Sequence, residues 1–279
     1  MRLSQNVHNY NRKTQQHLFA AAFYSLKGRL FSMQRYFLQT EPVDQERFVL
    51  DRDAEHHAIK VMRMREGEQL IIVHQNVAHI CEIESIGDSV IVRKTGQTIA
   101  SPEMPIHVTI ACGLPKGDKL ELIAQKGTEL GMYSLVPFVA ERSIVKWDDK
   151  KAKKNVERLQ KIAQEAAEQS HRTHVPTVEM PLSFKQLVAT ISSYDAVFIA
   201  DEEDAKLEVR QRFADKLQQL KAAGGLSILC IFGPEDGISR KESEALLAAG
   251  AQTMSLGPRI LRAETAPLYT LSAISYEYE

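Results

Sequence analysis

One short segment near the C-terminus, LGPRILRAETAP (residues 256–267), carries two arginines and a glutamate. Arg259, Arg262 and Glu264 lie between a short apolar run, TMSL, and a helix-like segment. A guanidinium group can stabilise negative charge that develops on an oxygen, and a carboxylate can accept a proton or orient the guanidinium. The structural alternative is an ion pair between Arg262 and Glu264 near a helix N-terminus, which leaves Arg259 unexplained.

Local signals place these charges in a loop that precedes the last helix. Pro267 suits the first turn of a helix, and Thr265 suits the N-cap. Arg259, Arg262 and Glu264 therefore belong to the connector and not to the helix.

A second candidate loop is FGPEDG, residues 232–237. Its two glycines allow the backbone to bend sharply and to approach a ligand closely. Glu235 and Asp236 disfavour a phosphate and suit a ligand that carries positive charge or hydroxyl groups. The chain has neither G-x-G-x-x-G nor G-x-x-x-x-G-K, so no phosphate cradle is indicated. A plain turn before a helix capped by Ser239 explains this loop equally well.

The elements around these loops alternate between strand and helix from Pro105 onwards, which predicts a mostly parallel sheet. Ligands bind such sheets beyond the carboxyl ends of the strands. Three loops qualify: the two above and a third that begins with Ala200, Asp201 and Glu202. Local signals indicate four helices in this region. One is capped by Asp118 and stops at Gly131, and a long one covers about 149–170. Two more begin with capping boxes, Ser183 to Gln186 and Ser239 to Glu242, and the second of these helices stops at Gly250.

Residues 33 to about 98 have a different pattern, with five β-like segments and one short helix. Asp53 is the expected cap of that helix, which is expected to end near Glu66 and Gly67. The proline-containing segment GQTIASPEMP, residues 96–105, is the expected linker.

Composition indicates an ordinary globular protein, with 279 residues and a formal net charge of −1. Residues 1–32 contain five basic residues and no acidic one, so the remainder carries 30 basic and 36 acidic residues. Cys81, Cys112 and Cys230 lie in separate apolar runs and are expected to be reduced, buried residues of a cytosolic protein. No apolar run is long enough to span a bilayer, and no spacing of ligands indicates a metal site.

A nucleic-acid partner would need a local basic surface, because the net charge does not predict one. Lys60 and Arg63 are one helical turn apart, and Arg35 lies on the first strand, which together offer a face for phosphate contacts. A solvated helix face is the more common outcome for such a pair. The lysine run at 150–154 is likewise most often a solvated helix start.

Seven segments in order resemble the ribosomal RNA small subunit methyltransferase E family, N3-uridine methyltransferases of the SPOUT superfamily. They are MQRYF, HHAIKVMRMREGE, KGDKLELIAQKGTELG, ERSIVK, EAAEQSHRTHVPTV, FGPEDG and LGPRILRAETA. The resemblance covers residues 33–279, and each segment alone would be weak. The family usually has a second glycine where this chain has Asp236.

The resemblance implies an α/β protein with two domains. Residues 33–100 would be a PUA-like β-barrel that holds RNA, and residues 104–279 a SPOUT-type parallel sheet with a deep trefoil knot. Residues 1–32 would be an extension outside the fold. The implied cofactor is S-adenosylmethionine, and no metal is implied. The implied assembly is a homodimer in the cytoplasm, and no membrane partner is implied.

The implied reaction is N3-methylation of one uridine of 16S rRNA in the small ribosomal subunit, U1498 of the decoding region in the family. Arg262 and Glu264 would be catalytic. Cofactor binding would involve Ala200, Gly233, Glu235, Gly237, Leu256, Gly257, Ile260 and Leu261. RNA binding would involve Arg35, Lys60, Arg63 and Arg142. The alternatives are a non-catalytic RNA-binding factor with the same fold, and a methyltransferase that acts on another RNA.

Overall fold

The computed structural model describes residues 33–200 and 212–279, and the chain divides into two compact units between Ala100 and Ser101. The predicted extension, residues 1–32, lies outside the described residues. So do Asp201 and Glu202, which the sequence places in the loop after Ala200.

The first unit contains a five-stranded sheet in the part of the chain that the structure describes, with the order β1-β3-β4-β5-β2. Its strands are β1 (Arg35–Phe37), β2 (Arg47–Val49), β3 (Gln69–His74), β4 (Val77–Ile86) and β5 (Val90–Ile99). β1 runs parallel to β3, and the other neighbours are antiparallel. The five β-like segments of the sequence are thus confirmed as strands.

The short helix of this unit differs from its prediction. Asp51, and not Asp53, caps α1 (Arg52–Glu55), because its side chain accepts the backbone N–H of Ala54. The chain continues as a π-helical segment (His56–Val61) and stops there. Arg63 has φ +56°, a left-handed conformation that a helix cannot continue, so the predicted end near Gly67 was wrong.

Part of the predicted linker is also a strand. β5 extends to Ile99, which lies opposite Ala78 of β4, so residues 96–99 belong to the sheet. Gly96 adopts φ +82°, and the side chain of Thr95 donates to the carbonyl oxygen of Ile80. Glycine at this position signals a local irregularity within a strand and not the end of the strand.

The second unit contains a parallel sheet with the order β12-β10-β11-β6-β7-β8, and β9 pairs with β7. Its strands are β6 (His107–Gly113), β7 (Ser134–Val139), β8 (Thr177–Val178), β9 (Leu182–Ser183), β10 (Ala196–Ala200), β11 (Ser227–Phe232) and β12 (Gln252–Met254). Its helices are α2 (Lys119–Glu129), α3 (Asp149–Gln169), α4 (Phe184–Thr190), α5 (Phe213–Ala222), α6 (Arg240–Ala248) and α7 (Thr265–Tyr278), with a 3₁₀ turn at Ile191–Ser193. The predicted parallel α/β architecture is confirmed.

Helices cover both faces of this sheet. On β11, Cys230 and Phe232 join a core formed with α2, α3, α5 and α7, whereas Leu229 and Ile231 join a second core formed with α4 and α6. Successive side chains of β11 enter opposite cores because a strand has a two-residue period. Cys81, Cys112 and Cys230 are buried free thiols, as predicted, and burial raises the pKa of each.

The helix ends agree with most of the local signals. Both capping boxes, at Ser183 and at Ser239, are present with their reciprocal hydrogen bonds. Gly131 follows α2 with φ +87°. Thr265 is the first residue of α7 and Glu264 occupies the N-cap without a side-chain cap bond, so the predicted Thr265 cap was wrong by one residue.

A partly buried ion pair joins Glu103, which precedes β6, to Arg172 in the turn after α3. The Arg172 guanidinium contacts the carboxylate of Glu103 through Nε and Nη2, and its Nη1 donates to the carbonyl oxygens of Thr128 (3.1 Å) and Met132 (2.7 Å). Burial alone would raise the pKa of Glu103, but the hydrogen bonds and charge of Arg172 outweigh it and lower this pKa below its ordinary value of 4.5.

We expect Glu103→Gln to destabilise the protein by about 3 kcal/mol or more, because the buried guanidinium of Arg172 loses the charge of Glu103. Glu129→Gln is the matched control, since Glu129 forms an exposed pair with Lys126 and its loss should cost about 0.5 kcal/mol or less. Urea unfolding of the full chain measures both changes, and equal losses would contradict the prediction.

The pH dependence follows from the same pair. A carboxyl group with a lowered folded-state pKa stabilises the fold above its unfolded-state pKa, and this contribution disappears as the pH falls through the folded-state value. The stability difference between wild type and Glu103→Gln should therefore be full at pH 7 and shrink below about pH 4.5.

Candidate active site

The carboxyl ends of β10, β11 and β12 open into one cavity of about 570 Å³. The β11–α6 loop (residues 233–239) and the β12–α7 loop (residues 255–264) form most of its wall. All eight residues that the sequence proposed for cofactor binding line it: Ala200, Gly233, Glu235, Gly237, Leu256, Gly257, Ile260 and Leu261. Whether they bind a cofactor stays a prediction, but the structure brings them together.

The β11–α6 loop is folded tightly upon itself at Gly233. A Cβ atom added to Gly233 would lie 2.4 Å from the carbonyl carbon of Gly237 and 2.5 Å from the backbone nitrogen of Ile238. A Cβ on Gly113, at the end of β6, would meet Pro234 at 2.6 Å. Gly237 adopts φ +71°, whereas Asp236 is not among the residues with positive φ. Aspartate at position 236 is therefore compatible with this loop.

Side chains that follow β7 brace the same loop. The hydroxyl of Ser239 donates to Glu141 Oε2 (2.6 Å), and the backbone N–H of Glu141 donates to Glu242 Oε1 (2.8 Å). Arg142, which the sequence proposed for RNA binding, donates from Nη1 to the carbonyl oxygen of Asp236 (2.7 Å) and lines the cavity. Arg142 thus contacts the β11–α6 loop of its own chain, which the sequence did not suggest.

A lysine joins the two cavity loops. Lys119 Nζ lies 2.6 Å from Glu235 Oε1 and 3.9 Å from Glu264 Oε2. Glu235 Oε1 also accepts the backbone N–H of Lys116 at 2.9 Å. Burial acts to raise the pKa of Glu235, but these donors outweigh it and lower this pKa below its ordinary value.

Arg262 and Glu264 lie at the side of the cavity and not in its wall, although Leu261 and Ala263 line it. Arg262 is exposed, and the Glu264 side chain is 15% exposed. The structural alternative, an ion pair between Arg262 and Glu264, is not formed. Among the described residues, the cation at ion-pair distance from Glu264 is Lys119. Arg259 is exposed and lines the cavity, a position that the sequence left without a role.

Sequence reasoning missed Lys119. Lys119 follows the cap residue Asp118 on α2, and the residues that it contacts are more than 100 positions away. A lysine in the first turn of a helix is electrostatically unfavourable, because the helix dipole places positive charge there. This unfavourable position was the one local signal that Lys119 forms a contact outside its helix.

The first unit contains three residues that the sequence proposed for RNA binding, and they differ in exposure. Lys60 and Arg63 are exposed at the end of the π-helical segment, beside the exposed Val61 and Met62. Arg35 on β1 is only 7% exposed, so protein covers most of it. Their role in RNA binding stays a prediction.

Two further findings concern metal ligands and membrane-spanning helices. Among the described residues, no group of three or more His, Cys, Asp or Glu side chains could hold a metal ion. Within the same ranges, no helix is both long and apolar enough to cross a membrane.

Comparison with known proteins gives matches to both units. A family model for an RNA methyltransferase domain matches residues 102–275, and one for an RNA methyltransferase PUA domain matches residues 50–94. Ribosomal RNA small subunit methyltransferase E of Bacillus subtilis is 47% identical over 252 residues, which cover 88% of this chain and 98% of that protein.

Solved structures agree with these matches. A Legionella pneumophila protein described as a methyltransferase, in complex with the cofactor SAM, has a TM-score of 0.74 at 28% identity over 88% of this chain and 97% of its own. Ribosomal RNA small subunit methyltransferase E of Neisseria gonorrhoeae, bound to S-adenosyl methionine, has a TM-score of 0.73 at 26% identity, with 87% and 96% covered.

We expect Gly233→Ala to destabilise the second unit by about 1–3 kcal/mol, because the new methyl group would collide with backbone atoms that have no room to move. Gly87→Ala is the control, since a Cβ there meets nothing within 4 Å and its φ is not positive. Thermal unfolding compares the two variants, and a Gly233→Ala protein as stable as the control would show that the loop is looser than described.

Proposed function

The chain belongs to the ribosomal RNA small subunit methyltransferase E family, and from this premise we propose that it methylates N3 of one uridine in 16S rRNA with S-adenosylmethionine as the methyl donor. The observation that carries the proposal is the cavity at the ends of β10, β11 and β12, which gathers the eight predicted cofactor residues beside Arg262 and Glu264. The target that we propose is the uridine that the family resemblance implies, U1498 of the decoding region.

The lining of the cavity suits the proposed methyl donor. A volume of about 570 Å³ lies within the range of small-molecule sites. Gly233, Gly237 and Gly257 offer backbone groups at close range, and Leu256 and Leu261 offer apolar cover for an adenine ring. Glu235 and Asp236 suit hydroxyl groups and positive charge, as a ribose and a sulfonium present. When bound, the donor supplies an electrophilic methyl group.

Arg262 and Glu264 carry the proposed chemistry. Uridine N3 holds a proton at neutral pH, so methyl transfer requires removal of this proton and stabilisation of the resulting anion. We assign proton acceptance, or orientation of the arginine, to Glu264. We assign stabilisation of the charge on the uracil carbonyl oxygens to Arg262, whose exposed side chain has no ion-pair partner among the described residues.

The rest of the proposal concerns RNA and assembly. Residues 33–100 would hold RNA as a PUA-like domain through Lys60 and Arg63, and residues 104–279 would form the catalytic domain with the trefoil knot. Arg142 would contact RNA at the rim of the cavity. A base within folded rRNA must be unstacked before it can react. We further propose that the protein works as a cytoplasmic homodimer.

Nucleoside mass spectrometry of 16S rRNA tests the function directly. A strain without this gene should lack N3-methyluridine, and the wild-type gene should restore it. Unchanged N3-methyluridine in the deletion strain would reject the proposed target, and loss from another RNA fraction would favour the alternative substrate. Calorimetry that detects no S-adenosylmethionine binding would favour a non-catalytic RNA-binding factor.

Arg262→Ala tests the assigned chemistry. We expect kcat to fall by roughly 10²–10³-fold, because a charge-stabilising donor is lost, while the Kd for S-adenosylmethionine changes by less than about 3-fold. Arg158→Ala is the control, since Arg158 of α3 pairs at the surface with Glu121 of α2. Turnover assays with small subunits and calorimetry measure the two quantities, and unchanged kcat would remove Arg262 from the mechanism.

A further inference from the structure

We propose that Lys119 is a positioning residue for methyl transfer, whose ammonium group holds the carboxylate of Glu264 by an ion pair and joins it to the β11–α6 loop through Glu235. This inference deepens the proposed function and rests on it. Lys119 is not among the residues that line the cavity, so it acts through the two glutamates.

The geometry joins three separate segments at one nitrogen atom. Lys119 comes from the start of α2, Glu235 from the β11–α6 loop and Glu264 from the N-cap of α7. The ammonium nitrogen lies 2.6 Å from Glu235 Oε1 and 3.9 Å from Glu264 Oε2. Among the described residues, Lys119 is the cation at ion-pair distance from either carboxylate.

The environment of Glu264 makes this cation consequential. Its Oε2 atom is buried and accepts no hydrogen bond from any residue that the structure describes. An oxygen without a hydrogen-bond donor has no partner that fixes the orientation of its carboxylate, and Lys119 is the cation at ion-pair distance from it. Both roles proposed for Glu264 depend on where its oxygens point, so they require the contact that Lys119 supplies.

One ammonium group can serve both carboxylates. It has three donors, of which Glu235 takes one. A movement of roughly 1 Å would bring Nζ within hydrogen-bond distance of Glu264 Oε2. Glu235 lines the cavity, and Lys119 thereby connects the cavity wall to the position of Glu264.

Other charges near Glu264 do not replace Lys119. From α2 the facing group is Lys119, from the β11–α6 loop it is Glu235, and in its own loop Arg262 is exposed without an ion pair to Glu264. Glu235 is negative and would repel the carboxylate of Glu264. Removal of the lysine charge therefore leaves two carboxylates without their shared cation.

The test compares Lys119→Met and Lys119→Arg with the control Lys126→Met in the full chain. Lys126 lies on the same helix and pairs with Glu129 on the surface, away from the cavity. For each protein, kcat and KM are measured with small subunits and S-adenosylmethionine, and the Kd for S-adenosylmethionine is measured by calorimetry.

Lys119→Met should lower kcat about 10–100-fold, because the carboxylate of Glu264 loses the group that orients it. The Kd for S-adenosylmethionine should change less than about 3-fold, because Glu235 keeps its bond from the Lys116 N–H. Lys119→Arg should retain most of the wild-type kcat, because a guanidinium group can also pair with both carboxylates, and Lys126→Met should match wild type.

Two results would overturn the inference. One is a Lys119→Met enzyme with the wild-type kcat. The other is a loss of kcat accompanied by an equal loss of cofactor affinity, which would assign Lys119 to loop structure alone. A wild-type protein with no turnover on any RNA would reject the proposed function first, so the two failures are distinguishable.

Discussion

The close contact within the β11–α6 loop is the constraint on which the cavity depends. Gly233 lies so near the backbone of Gly237 and Ile238 that no side chain fits between them. This contact turns the chain back at the end of β11, and it leaves room for the β12–α7 loop to form the facing wall. Ser239, Glu141 and Glu242 then hold the turned loop through hydrogen bonds, so backbone geometry and side-chain bracing support one another.

Much of this architecture could be predicted from local signals. Alternating strands and helices indicated the parallel sheet, and the capping boxes at Ser183 and Ser239 indicated where helices begin. The rule that ligands bind beyond the carboxyl ends of parallel strands selected the loops that line the cavity. These inferences succeeded because each depends on periodicity or on contacts between residues a few positions apart.

The errors have a common physical origin. The helix at Asp51 changed to π-helical geometry and ended early, and β5 continued through Gly96, because tertiary packing overrode the local signals there. The partner of Glu264 is Lys119 and not the nearby Arg262, and no local pattern encodes a contact between residues so far apart. The roles of the site residues came from family resemblance, and spacing could not have supplied them.

The contacts that complete the cavity also determine when it can exist during protein synthesis. Glu141 meets Ser239 98 residues later, and Lys119 meets Glu235 after 116 residues. Until residues 255–264 have been synthesised, the earlier strands have no β12–α7 loop to close against. The cavity is therefore assembled late along the chain, by contacts between residues far apart in the sequence. Folding by such distant contacts is slow relative to helix formation, so the finished site forms after the helices around it.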